Sequence, residues 1–372
     1  MKILVCGAGV AGLATTLYLK RAGHEVTTLE RASELRVAGG PVDVRGESIE
    51  FVKELGLWDE MKTHEVHMSD DMHFVDADGD KAAGFPHAAI KDSPEDLEIE
   101  RVSLMPILAR AAGTEGLRFT TRIESIDDRG DHVHVVLTDG SEGDYDLVVG
   151  ADGVHSATRR MVFGRPEADF AHFLGVYVGF APIGPTRAST APSENFNMPG
   201  KFIGAIQSLE CEYASFMFRS EQLAYDYRDP EAMRSIIREQ YPEDLWRTQE
   251  LIGRALDSDG LWMDECTQIK MDTWREGRVL LVGDAAHCAT PLSGRGVSLG
   301  ISGGRFLTMA LTEFPDDIDA AYARYEQLQR PHVDHAQGTV HEGMEMVLPR
   351  TQEEIEQRNA RINQMLEQML EG

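Results

Sequence analysis

"MKILVCGAGVAGLATTLYLKRAGHEVTTLE", Met1 to Glu30, carries Gly7, Gly9 and Gly12 in a GxGxxG spacing. Ile3 to Cys6 is a short apolar run that predicts a buried strand. The Ala- and Leu-rich stretch from about Val10 to Arg21 predicts a helix, Gly23 ends it, and "EVTTLE" predicts a second strand closing on Glu30. Together these make a βαβ unit of about 30 residues, the size of a dinucleotide-binding half. Gly7 allows the tight turn out of the strand, Gly9 lets backbone approach a pyrophosphate, and Gly12 lets helix and sheet pack closely. The helix start offers unpaired N–H groups and partial positive charge to phosphates. Glu30 lies eighteen residues past Gly12, at the strand tip, placed for two ribose hydroxyls. A carboxylate there repels a 2′-phosphate, so the site is expected to take FAD or NAD rather than NADP.

The same stretch imitates a secretory signal, with a lysine followed by an uncharged run from Ile3 to Leu19. The fixed glycine spacing, the resumption as "HEVTTLE" and the lack of a clear cleavage site argue against that reading. No other stretch is long and apolar enough for a bilayer, so a soluble, cytoplasmic protein is expected.

The 372 residues suffice for two cores, or for one large α/β core with an inserted lobe. A hydrophobic share of 42% and a charged share of 27% are ordinary for a globular chain. The formal net charge of -27 is not, and it argues against nucleic acid and anionic membrane as partners. Cys6, Cys211, Cys266 and Cys288 are far apart, which fits neither zinc spacing nor a disulfide framework. His332 and His335 stand one helical turn apart with no completing ligand, and are read as helix surface.

The rest of the chain separates a dehydrogenase from a flavoprotein. No further βαβ repeats with a catalytic His, Lys or Tyr cluster follow Glu30. Instead Gly39, Gly40, Pro41 and Gly46 mark a loop containing Arg45, before a helix from about Ser48. "MHFVDADGDKAAGF" predicts a polar hairpin, and "EIERVSLMPILARAA" a strand delivering Arg101 to a helix from Val102 to Ala112. A hairpin turning at Asp139-Gly140 leads to a strand from Tyr145 to Val149, which ends in Gly150-Ala151-Asp152-Gly153. A second apolar strand, Val279 to Val282, likewise ends in Gly283-Asp284, followed by "AAHCATPLSGRG".

GAGVAG with Glu30, Arg101 ahead of its helix, "ADGVHSATRR" and "GDAAHCATPLSGRG" stand in this order over roughly the first 330 residues. The set resembles the class A, aromatic-hydroxylase type of flavin-dependent monooxygenase. The resemblance implies an α/β fold: a Rossmann-like FAD-binding domain, an inserted antiparallel-sheet substrate domain and a C-terminal helix. It implies non-covalent FAD in an extended pose, with Gly7, Gly9, Ala11, Gly12, Glu30 and Arg31 at the adenosine half. Arg45 and Arg101 would contact the cofactor, Arg101 at its phosphate and ribityl region, and Asp284 would accept bonds from ribityl hydroxyls. Pro291, Gly294, Gly296 and Val297 would line the isoalloxazine ring, where side chains would collide with it. Asp152 has two readings, a turn-stabilising residue and a contact of the nicotinamide cofactor. Ser298 departs from the family's usual Asn, and "ISGG" (Ile301 to Gly304) replaces a usual acidic pair. The double glycine suggests close helix packing.

"GGPVDVRG" (Gly39 to Gly46), Asp152 to Arg159, Thr267 to Arg278, "FMFRS" (Phe216 to Ser220) and "PLSGRG" narrow the resemblance to tetracycline-inactivating flavin monooxygenases. The implied division is 1–72, 98–170 and 267–335 for the FAD domain, 73–97 and 171–266 for the substrate domain, and 336–372 for C-terminal helices. Phe173 to Phe218 alternates and is β-rich, and Asp229 to Leu256 reads as helical. In the family such a sheet roofs the substrate pocket, which makes Gln207, Phe216, Phe218 and Arg219 candidate substrate contacts. The alternative is that the aromatics are core and Arg219 is structural. "TQEEIEQRNARINQMLEQMLEG" is amphipathic, with Ile355, Ile362, Leu366, Met369 and Leu370 on one side. It is read as a brace across the two domains, with a dimer-forming helix as the alternative; the reading of the whole chain is a monomer.

The resemblance implies transient NADPH, dioxygen and a polycyclic phenol or enol as reactants, with the reaction running through a flavin hydroperoxide. No catalytic side chain and no metal are then expected, since the cofactor carries the hard chemistry. His287, near the ring loop, is read as a helix-start residue rather than a base. Readings kept beside this one are an aromatic polyketide hydroxylase, a flavin oxidase or dehydrogenase, and a non-catalytic flavin binder.

Overall fold

The structure is a computed structural model and describes residues 1–37, 39–186, 191–226 and 229–371. Strand Lys2–Cys6 lies at the centre of a six-stranded sheet, parallel to Glu25–Leu29 on one side and to Leu147–Gly150 on the other. Leu117–Arg118 extends the first side, while Val279–Leu281 and the antiparallel Arg275–Glu276 extend the second. The central strands are buried on both faces, which is why they read as unbroken apolar runs. The strand expected from Tyr145 divides at Asp146. Glu142–Tyr145 pairs with Val133–Leu137 in a separate three-stranded sheet, and the parallel strand starts only at Leu147. Asp146 accepts the Lys2 N–H at 2.6 Å and so fixes the crossover.

Helix Val10–Arg21 packs against helix Gly296–Glu313 over the sheet. Gly300 and Gly304, one turn apart, make the approach possible. A Cβ on Gly304 would stand 2.7 Å from Thr15 N, and one on Gly300 would stand 3.3 Å from Ala11. Gly303 is not part of this seam; its Cβ would meet the Tyr325 hydroxyl at an ordinary 3.6 Å.

The second large sheet has seven strands in the order Trp262–Ile269, Ala171–Pro185, Cys211–Arg219, Lys201–Gln207, Ser193–Met198, Asp71–Val75, Lys81–Pro86. Its outer face buries Tyr177, Phe216 and Phe218 under helices Pro230–Gln240 and Thr248–Leu256. Its inner face carries Val176, Val178, Phe202 and Cys266, with Leu292 of the ring loop packed against that cluster. Helix Gln352–Glu371 lies along the Lys81–Pro86 edge. Ile355 and Ile362 are buried, and the Arg358 guanidinium sits 3.6 Å from the Phe74 ring centroid. The helix that reaches the ring loop is the one before it, Val340–Val347. Among the described residues no helix is long and apolar enough to cross a membrane.

Candidate cofactor and substrate site

At the end of strand Lys2–Cys6, Gly7 takes φ +108, and a Cβ there would lie 2.4 Å from Ala151 O. A Cβ on Gly12 would lie 1.8 Å from Gly7 O, whereas one on Gly9 would meet nothing within 4 Å. Gly7 and Gly12 are thus fixed by collisions inside the protein, and Gly9 by the space beside it, which suits backbone approach to a phosphate. Glu30 is 8% exposed; its carboxylate accepts from Ala8 N–H at 3.0 Å and from Ala32 N–H at 2.9 Å. Both bonds hold it at the rim of a cleft of about 650 Å³ lined by Arg31, Arg36, Thr120, Thr121 and Arg122. Arg31 was expected there; Arg36 and Thr120 to Arg122 carry no motif that would have announced them. Ala11 sits instead in the packing seam, where a Cβ on Gly283 would come within 2.5 Å of its own.

Asp284 opens the short helix Asp284–His287 directly after Gly283, which has φ +58. The residue is exposed, yet protein crowds its carboxyl closely. The crowding pushes the carboxyl up from its ordinary value, and the Arg101 guanidinium opposes the shift. Burial lowers the Arg101 pKa, Asp284 raises it, and Arg36 lowers it further. Arg101 Nε is buried without a hydrogen-bond partner among the described residues. Gly39, at φ +130, leaves room for the Arg101 side chain, since a Cβ there would lie 2.9 Å from its Cδ. An orphaned guanidinium N–H beside a carboxylate fits a ligand that carries phosphate next to hydroxyls. With the open face at Gly9 and the rim at Glu30, these residues fit FAD.

A residue not singled out from the sequence joins the two Gly–Asp steps. Arg159 is fully buried; it donates to Ala285 O at 2.7 Å, to Val154 O at 2.6 Å, and pairs with Glu167. Its own N–H is capped by Ser156 Oγ at 2.9 Å. The signal was the Ser-x-x-Arg spacing inside "HSATRR". Asp152 accepts from Ser156 Oγ and from Thr158 N–H and Oγ1, the last two at 2.9 and 3.1 Å. Of its two readings, the turn-stabilising one is what these contacts carry.

The ring loop begins at Thr290, a β-branched residue at φ +76 whose Oγ1 accepts the Leu292 N–H at 3.1 Å. Such a conformation costs on the order of 1–3 kcal/mol and marks a constrained site. Pro291 to Ser293 form one 3₁₀ turn, Gly294 follows at φ +62, and Gly296 and Val297 start the long helix. The Arg45 guanidinium is engaged through its two Nη atoms, while its buried Nε has no hydrogen-bond partner among the described residues. It pairs with Asp43 at 3.0 Å and donates to Ile90 O at 3.1 Å. Ser298, the departure from the family pattern, accepts the Arg45 N–H at 2.9 Å and bonds Ser48 at 3.1 Å, so it anchors the Arg45 loop to the ring loop. His287 is not a helix-start residue. It ends its helix fully buried, its ring 4.7 Å from that of Trp274, and burial holds its pKa down at about 3.

The proposed substrate contacts need correction. In strand Cys211–Arg219 alternate side chains face opposite ways. Phe216 and Phe218 are 0% exposed and lie on the outer face, edge-on to Tyr241 of the helix layer. Gln207 faces the same way and donates to the buried Glu212 at 2.8 Å, beside Arg247 and Arg254. Arg219 is on the inner face but is held by Leu348 O at 3.0 Å and Glu345 at 3.0 Å. The inner face presents Phe180 and Tyr213 instead, stacked with centroids 4.9 Å apart. Tyr213 donates to Glu100, and a Cβ on Gly40 would strike the Phe180 ring at 2.5 Å. Alternation was legible in the sequence; which face the helices cover was not.

The sequence matches the family described as FAD binding domain over residues 1–337. A flavin-dependent monooxygenase of Legionella longbeachae is 34% identical over 341 residues, covering 90% of this chain and 86% of that protein. The crystal structure of tetracycline destructase Tet(51) aligns with a TM-score of 0.82 at 32% identity, covering 98% of this chain and 96% of that one. Klebsiella pneumoniae HpxO, complexed with FAD and uric acid, shares the fold at a TM-score of 0.80 and 23% identity, covering 98% of this chain and 93% of that one.

Proposed function

The chain belongs to the FAD-binding-domain family of flavin-dependent monooxygenases, and on that premise we propose an NADPH-consuming reaction that inserts one oxygen atom into an electron-rich phenol or enol of a polycyclic compound, with a tetracycline as the first compound to try. The observation that carries the substrate class is the likeness to tetracycline destructase Tet(51), which extends over 98% of this chain and so takes in the substrate sheet. When bound, FAD supplies the oxygen-activating chemistry.

The chain's own residues bind, orient and shelter. Gly9 and the start of helix Val10–Arg21 would receive the pyrophosphate, Glu30 the adenosine ribose, and Asp284 with Arg101 the ribityl and phosphate region. The strained turn from Thr290 to Gly294 would offer the ring backbone rather than side chains. The inner face of the seven-stranded sheet, with Phe180 and Tyr213, would cover the substrate on the side opposite the ring loop and shield it from water.

The test is mass spectrometry of FAD-loaded protein incubated with NADPH, air and a tetracycline, then with aromatic polyketides. A product heavier by one oxygen, formed with stoichiometric NADPH consumption, is expected. Reduction of the flavin by the organic compound alone, without NADPH, would mark an oxidase or dehydrogenase instead. Retention of FAD with no turnover of any compound would mark a binding protein.

A further inference from the structure

Strands Pro41–Val44 and Leu97–Glu100 form a two-stranded ladder between the ring loop and the substrate sheet, with Asp43 directly opposite Glu98. Leu97 and Ile99 are 0% exposed and pack into the FAD-domain core with Val44 and Leu104. Alternation therefore turns Asp43, Glu98 and Glu100 to the other face. Glu100 meets Tyr213 of the inner sheet face. Asp43 pairs with Arg45, and its Oδ2 lies 3.3 Å from where Gly294 would carry a Cβ. Directly opposed residues have Cβ atoms about 4.5–5.5 Å apart. Glu98 thus stands beside the ring loop and looks toward the substrate sheet. Unlike its two neighbours, its carboxyl has no hydrogen bond or ion pair among the described residues.

We propose that Glu98 accepts the proton of the substrate hydroxyl. The substrate O–H bond breaks and its proton passes to a Glu98 carboxylate oxygen. The electron pair stays on the substrate as phenolate or enolate, the form that is attacked most readily by electrophilic oxygen. This role rests on the oxygenation reading above and gives that pocket the base it otherwise lacks. The charged groups facing Glu98 are Asp43 and Arg45, on and just after the partner strand, and Lys91 on the segment after residues 87–90. Glu65, bridged to Ile99 through backbone, is already paired with Lys62 at 2.6 Å. Burial and then the Asp43 charge push the Glu98 carboxyl up to about 8, with Arg45 and Lys91 opposing. A base with that affinity is matched to proton transfer near neutral pH.

The experiment uses FAD-loaded protein with NADPH and, in parallel, tetracycline and 1-naphthol as probes. In the wild type, single-turnover oxygen insertion should rise with pH and level off above about pH 8. Glu98→Gln should lower insertion about 100-fold and flatten that limb, with NADPH oxidation and FAD occupancy within about twofold of wild type. Glu98→Asp should restore part of the rate. Asp43→Asn removes the opposing like charge and should move the limb to lower pH. Wild-type rate and an unchanged limb in Glu98→Gln would overturn the proposal. ¹³C NMR of glutamate-labelled holoenzyme supplies a reading free of any substrate: one carboxyl titrating near pH 8, missing in Glu98→Gln. Its absence from the wild type overturns the role of Glu98 whatever the substrate, whereas failure of the wild type to oxygenate either probe overturns the functional reading alone.

Discussion

Asp284→Ala separates binding from folding at a single side chain. The carboxylate is crowded by protein, and Arg101 and a Cys288 side-chain bond offset that crowding only in part, so it does little for the apoprotein, while ribityl hydroxyls need it as an acceptor. We expect FAD affinity to fall by on the order of 2–3 kcal/mol, read by flavin fluorescence, with the apoprotein melting no lower than wild type. The three fingerprint glycines should also part company. Gly9→Ala should fold and bind FAD weakly, since its Cβ enters open space, whereas Gly12→Ala places a Cβ 1.8 Å from Gly7 O and should fail to give soluble, folded protein. At this scale the sequence was most legible where a motif fixes a backbone conformation: Gly7, Gly12, Glu30 and Asp284 each have a steric or polar reason visible in the spacing. It was least legible where a side chain's partner lies far away in the chain. Arg45 turns to Asp43 and Ile90, which no local pattern announces, and Arg159 clamps Ala285 across 126 residues, where the Ser-x-x-Arg spacing marks its cap but not that distant partner.

Among the elements, the pairing of helix Val10–Arg21 with helix Gly296–Glu313 joins the two ends of the cofactor site. Its seam is the Gly300–Gly304 stripe against Ala11 and Thr15. Gly304→Val should destabilise the protein by about 1–3 kcal/mol through overpacking, because its Cβ meets backbone that has nowhere to move. Gly303→Ala should instead be neutral or stabilising by up to about 1 kcal/mol, since the new methyl makes an ordinary contact and the helix gains propensity. Chemical denaturation of both variants decides it, and equal losses would sink the assignment of the seam. "ISGG" pointed to close packing but could not say which glycine serves it, because that depends on the azimuth of a helix found at the other end of the sequence. Phe216 and Phe218 show the same limit in a strand. Their period of two was plain, yet the face they occupy is set by helices that begin after residue 229.

Across the whole molecule the acid limb of stability should be set in part by a group remote from the surface. His287 is buried against Trp274 with neither ring nitrogen bonded among the described residues, and its folded pKa is down at about 3 against an ordinary 6.5. Below pH 6.5 the unfolded chain binds a proton that the folded chain refuses, so the contribution of His287 is fully present above pH 6.5 and is lost progressively as pH falls toward 3. His287→Leu, which keeps the volume and removes the proton site, should flatten that part of the profile while leaving the melting temperature near pH 7.5 little changed. A net charge of -27 works in the opposite sense near neutrality, where self-repulsion of the folded surface is relieved by salt. Measuring the pH profile of both proteins at high ionic strength isolates the histidine. An acid limb that is equally steep with Leu at this position would assign the loss to surface carboxylates, and would mean that the ring beside Trp274 stays neutral in the unfolded chain as well or charges in place without unfolding the core.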